Sequence, residues 1–152
     1  MGWIMKKIVL ANLLLLLGVV LSSCTRSYDF DSENLRNEIT KIEIIKLYDY
    51  QGDLYPDNEK EIEVLMILTE DLKNQFIDDF SLLTFERYYG TPDNSPKGKC
   101  LKFYYDDGTY AYITYYTYLR FREDGSNFVS TQNIHTSEKD FLDLIDNYID
   151  MI

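Results

Sequence analysis

The sequence predicts an α+β domain: an antiparallel sheet of four to five strands, in the order strand, helix, four strands, helix, with the helices packed on one sheet face. Three observations lead there. Short apolar–polar alternations separated by Gly- and Asp-rich turns recur from Cys100 to Ile134. An apolar stripe of helical period, Phe141, Leu144, Ile145, Tyr148, Ile149 and Ile152, closes the chain. A second helical pattern lies ahead of the strand run, and helices flanking consecutive hairpins imply an antiparallel sheet covered on one side.

Taken in order, Ile39 to Asp49 is Ile-rich with interspersed charges and predicts a strand. Its alternation changes phase at Ile44-Ile45, which suggests a bulge there. Gln51 to Pro56 is a loop by its Gly and Pro. Asn58 and Glu61 have the spacing of a helix cap and its reciprocal partner. Residues 61–68 fit either helix or buried strand, and periodicity does not decide between them. A helix start at Thr69-Glu70-Asp71 precedes Leu72, Phe76 and Phe80 at four-residue steps. The expectation is one helix kinked near Thr69, or two short ones.

Leu82 to Tyr89 predicts a strand, and Gly90 to Gly98 a loop. The hairpin that follows is the sharpest local signal. A two-residue Asp107-Gly108 turn would set Lys102 opposite Ile113. A three-residue Asp106-Asp107-Gly108 loop, with Gly108 left-handed, sets Leu101 opposite Ile113 and Phe103 opposite Ala111. The longer loop sorts the faces and is the one expected. Carried on to Phe121 as one strand, the alternation sends Leu101, Phe103, Ala111, Ile113, Tyr115, Leu119 and Phe121 inward. It turns Lys102, Tyr104, Tyr110, Tyr112, Tyr116, Tyr118 and Arg120 outward. Glu123-Asp124-Gly125 repeats the turn chemistry before a strand from Asn127 to Ile134, and Ser137 caps the last helix. This element order loosely resembles cystatin-like folds. The hairpin Gly98 to Gly108 is similar to one found in small bacterial lipoproteins, a likeness that implies a topology and no activity.

The N-terminus has a different composition. Met5-Lys6-Lys7 is positive, and Ile8 to Leu21 is uncharged and almost wholly apolar. That stretch falls short of the roughly 20 residues of a spanning helix and suits the 7–15 or so of a signal peptide. Either Met1 or Met5 can start it. Leu21-Ser22-Ser23-Cys24 resembles the lipobox of bacterial prolipoproteins, an aliphatic residue and two small ones before a cysteine. The resemblance implies diacylglyceryl transfer to Cys24, cleavage by signal peptidase II just before it, and a palmitate-type acyl anchor. It divides the chain into a signal peptide (1–23), the lipidated Cys24 with a tether (24–35) and a single α+β domain (36–152). It also implies a location on the extracytoplasmic side of a membrane in the cell envelope.

Composition narrows the chemistry. With 26 acidic and 15 basic side chains the net charge is −11, which argues against nucleic acid, whose phosphates need clustered Lys and Arg. Two cysteines, Cys24 and Cys100, and one histidine, His135, build neither a disulfide scaffold nor a four-ligand zinc site. No metal or cofactor site and no catalytic residues are therefore expected. A thiol enzyme would need Cys100 and His135 in contact, and nothing in their spacing brings them together. Gly90 to Cys100 has the wrong spacing for a phosphate loop. The acidic runs Asp29 to Glu33 and Asp49 to Asp57 lack the glycine and closing glutamate of a calcium loop.

What stands out is tyrosine. All 14 follow Cys24, and five are expected on the outward face: Tyr104, Tyr110, Tyr112, Tyr116 and Tyr118, flanked by Lys102 and Arg120. Tyrosine gives contact area at low entropy cost and is enriched in interfaces. It also simply favours strands. The expectation is a non-enzymatic binding module for an envelope protein, peptide or glycan. The alternatives are a small hydrolase-like envelope enzyme, or an acidic inhibitor or immunity protein that masks a basic partner.

Overall fold

A computed structural model describes residues 27–48, 62–87, 97–122 and 128–151. The elements run β1 (Ser27–Tyr28), α1 (Ser32–Glu38), β2 (Ile39–Leu47), β3 (Ile62–Ile67), α2 (Glu70–Ser81), β4 (Phe85–Arg87), β5 (Gly98–Tyr105), β6 (Thr109–Ile113), β7 (Tyr118–Arg122), β8 (Phe128–Gln132), β9 (Ile134–His135) and α3 (Glu138–Ile149). Every strand pair is antiparallel, so the chain is an α+β domain. The main sheet has the order β3-β2-β5-β6-β7-β8, and a small second sheet has the order β1-β4-β9.

The main sheet gains its sixth strand from residues 62–67, where the sequence fits either helix or strand. Ile44↔Met66 and Ile45↔Val64 are partners, so Leu65 is an extra residue in β3. The bulge sits beside Ile44-Ile45, but its extra residue belongs to the neighbouring strand. Within β2 the alternation is regular from Lys41 to Leu47, and the strand's own shift lies at its start, where Thr40 is extra between Ile39 and Lys41. Ile42 and Ile44 join the core under the helices, whereas Ile45 and Leu47 join a second buried cluster on the opposite face. Burial on both faces makes a strand look continuously apolar. The helix that follows starts with Thr69 as N-cap, and Phe76, Ile77 and Phe80 are fully buried.

The segment 27–35, read from sequence as tether, is part of the domain. Asp31 caps α1 by accepting from the Asn34 amide at 2.9 Å. Phe30 and Leu35 lie in the main core, with the Phe30 ring 4.9 Å from Phe80 and 5.0 Å from Phe85. Two large aromatic contacts outweigh the polar composition of the flanking residues. Of the strand expected over Leu82 to Tyr89, β4 forms at Phe85–Arg87 in the second sheet. The strand expected from Asn127 divides into β8 and β9. The last helix forms as expected: the Ser137 hydroxyl accepts from the Asp140 amide, and Phe141, Ile145 and Tyr148 are buried.

Residues 1–26 lie outside the described residues, and with them the lipobox and Cys24. So do the Gln51 to Pro56 loop, the Asn58–Glu61 cap, the Glu123-Asp124-Gly125 turn and the acidic run from Asp49 to Asp57. Among the described residues no helix is long and apolar enough to cross a membrane.

Candidate functional site

The β5–β6 hairpin has the three-residue loop. Gly108 holds φ at 72°, and the register sets Leu101 against Ile113 and Phe103 against Ala111. An odd number of loop residues preserves the alternation, so even-numbered β5 and β6 residues face away from the helices together.

The continuous strand from Thr109 to Phe121 does not exist. The chain turns at Thr114–Thr117, where the Thr114 amide donates to the Thr117 carbonyl at 2.9 Å. The Thr114 hydroxyl accepts from the Tyr116 and Thr117 amides at 3.3 and 3.1 Å. Ile113 is then the partner of Tyr118, with four residues between them. An even number exchanges the faces. Leu119 and Phe121, expected inward, point away from the helices and join Ile45, Leu47, Cys100 and Tyr112. Tyr118 and Arg120, expected outward, stand on the helix side.

There both have structural work. The Tyr118 hydroxyl is 3.2 Å from that of Tyr105, and Tyr118 is buried. The Arg120 guanidinium lies 3.9 Å from the centroid of the Tyr105 ring. It donates to the Thr109 hydroxyl at 2.7 Å and to Asp107 at 3.0 Å. Asp107 in turn accepts from the Thr109 hydroxyl at 2.6 Å. That bond comes first among the causes holding the Asp107 carboxyl below the usual carboxylate range, with Arg120 adding to it. Tyr116 sits in the turn, its ring 4.8 Å from Tyr115.

Four of the seven expected residues do converge. Lys102 and Tyr112 are cross-strand partners, as are Tyr104 and Tyr110. The Lys102 ammonium stands 4.8, 4.6 and 5.5 Å from the ring centroids of Tyr104, Tyr110 and Tyr112. Two neighbours from β2 complete the group. Lys41 lies 4.1 Å over the Tyr104 ring and 2.8 Å from Glu43, and the Tyr104 hydroxyl donates to Glu43 at 2.9 Å. Sequence reasoning missed Lys41 and Glu43 because strand order is a long-range property: β2 lies beside β5, 64 positions further on at the Thr40–Tyr104 contact. Tyr104 and Tyr110 are half-buried, whereas Tyr112 is 2% exposed and Glu43 is 7% exposed. Burial pushes the Tyr112 phenol well above its ordinary value.

Cys100 and His135 are not brought together. Cys100 is fully buried in the main sheet's outer cluster, and burial pushes its thiol up, away from the reactive thiolate. His135 is exposed in the second sheet, opposite Glu86. Among the described residues no three His, Cys, Asp or Glu side chains group to hold a metal ion.

A pocket of about 420 Å³ lies at one end of the main sheet, lined by Leu47, Tyr48, Lys97, Gly98, Lys99, Tyr115, Glu138 and Leu142. In comparison with known proteins, the chain matches no family model, no curated protein and no solved structure.

Proposed function

We propose that this chain is an extracytoplasmic lipoprotein, anchored through Cys24, whose domain is a non-enzymatic binding module for a protein partner in the cell envelope. The contact surface is the outward sheet patch of Lys41, Lys102, Tyr104 and Tyr110. The observation that carries this reading is the set of ammonium groups of Lys41 and Lys102 held over half-exposed tyrosine rings. Side chains already fixed by ring and carboxylate contacts lose little further freedom when a partner docks. Aromatic residues with a cationic neighbour are also the residue types that dominate interface energetics.

A second reading has its own support. The helices carry Glu33, Glu38, Glu70, Asp71, Asp78, Asp79, Glu138, Asp140, Asp143 and Asp146 against only Arg36, Lys73 and Lys139. This acidic layer suits an inhibitor or immunity protein that covers a basic partner.

One experiment separates them. A photoreactive phenylalanine analogue replaces Tyr110 in one version of the full-length protein and Asp143 in another, each expressed with Cys24 intact and with Cys24→Ala. The binding reading expects one defined protein adduct from position 110, little from 143, and loss of membrane attachment with Cys24→Ala. Adducts from 143 alone favour the acidic reading. Equal adducts from both positions would overturn both surfaces, and membrane attachment without Cys24 would overturn the anchor.

A further inference from the structure

The pocket at the sheet end lies apart from the Lys102–Tyr104–Tyr110 patch and shares Glu138 with the acidic helix layer, and its lining departs from the rest of the molecule. In a chain with 26 acids and 15 bases, the side chains around this pocket include two lysines and one glutamate. Lys97 and Lys99 flank Gly98, whose φ of 81° turns the chain into β5. Both lysines line the pocket. Lys99 is also the direct cross-strand partner of Lys46. Like charges in that relation are destabilising. Here they are held in place: Asp146 bridges Lys99, and the Lys46 ammonium rests 4.8 Å from the centroid of the Tyr48 ring. An ammonium has three donors, and the bridge to Asp146 takes one.

The rest of the lining is aromatic, carboxylate and apolar. Tyr115, presented by the β6–β7 turn, and Glu138, in the first turn of α3, both line the pocket. The β6–β7 turn is tied down by the Thr136 amide donating to the Tyr115 carbonyl at 2.8 Å. Leu47 and Leu142 supply apolar surface. The volume falls within the roughly 300–1,000 Å³ of small-molecule sites, which pair apolar and aromatic walls with a few fixed polar groups.

We propose that this pocket binds a small hydroxylated carboxylate of acidic-sugar type. Its carboxylate would lie toward Lys97 and Lys99, its ring against Tyr48 and Tyr115, and its hydroxyls within reach of Glu138. Cation pair, aromatic walls and carboxylate acceptor together match that ligand better than a bare anion, which would leave Glu138 opposed, or a neutral sugar, which would leave the lysine pair unused. This site lies apart from the Tyr104–Tyr110 patch, so failure of the crosslinking test leaves it standing, and the reverse also holds.

The test titrates the detergent-solubilised full-length protein with D-glucuronate, D-glucose and acetate, followed by saturation-transfer NMR. Saturable glucuronate binding is expected, at least tenfold tighter than either glucose or acetate. Lys97→Gln and Tyr115→Leu should each weaken it about tenfold. Lys97 is exposed, so the first variant is expected to fold normally. The proposal fails if glucuronate does not saturate, if glucose or acetate binds equally well, or if neither variant changes the affinity.

Discussion

The two faces of the main sheet are organised on different principles. Under the helices, Ile42, Ile44, Leu101, Phe103, Ala111 and Ile113 meet Phe76, Ile77, Phe80, Phe141 and Ile145, all but fully excluded from water. The other face mixes a small apolar cluster, Ile45, Cys100, Leu119 and Phe121, with a network of lysines, tyrosines and Glu43. On the first face burial does the holding, and each ring counts through the contacts it fills. On the second, cation–ring contacts and charge-assisted hydrogen bonds hold side chains that remain partly wet, and these contribute less per residue. Holding by burial and holding by polar contact are thus separated across the thickness of one sheet.

Adjacent residues of β5 break this comparison most directly. Phe103 faces the helices, its ring 5.4 Å from Phe80, and Tyr104 faces away. Phe103→Ala should cost about 3–5 kcal/mol in equilibrium denaturation. Tyr104→Ala should cost about 1 kcal/mol, the scale of a partly wet hydrogen bond with ring contacts. Similar losses would mean that the two faces carry equal weight.

A smaller effect tests the loop that sets the register of both faces. Gly108→Ala puts a Cβ on a left-handed residue and should cost about 1–2 kcal/mol. Space is not the obstacle, since nothing lies within 4 Å of the added atom. The cost is conformational, and Gly108→Asn should recover part of it. An alanine variant as stable as the parent would show that the turn relaxes to another form.

The smallest effect concerns the latch beneath that loop. Because the folded Asp107 carboxyl is held low, the unfolded chain takes up the proton first. The latch is complete above the ordinary carboxylate value of about 3.9 and is lost as pH falls through the lower folded value. Denaturation between pH 5 and pH 2 should show a shallower loss of stability for Asp107→Asn than for the parent. Parallel profiles would remove Asp107 from the acid response.

These contrasts also explain what the sequence made legible. The register of the β5–β6 hairpin was readable because both strands, the loop length and the glycine are local. The β6–β7 turn was not: Thr114-Tyr115-Tyr116-Thr117 contains no Gly, Pro, Asn or Asp, and threonine hydroxyls close it instead. Missing that turn reversed the faces of Leu119, Phe121, Tyr118 and Arg120. The strand at 62–67 and the core roles of Phe30 and Leu35 were hidden for another reason. Each is decided by what lies next to the segment in space, whether β2 or the rings of Phe80 and Phe85. The pocket depends on four segments distant along the chain, the end of β2, the start of β5, the β6–β7 turn and α3, and no local pattern marks it.

The place of β1, only three residues after Cys24, bears on the proposed anchor. An acyl group on Cys24 would be joined to β1 through three peptide links, a leash of roughly 10 Å at full stretch. Under the proposed anchoring, so short a leash would keep the domain in the headgroup zone. Any partner would then have to come to the bilayer surface, and the domain's net negative charge would be set against the lipid phosphates within about a Debye length.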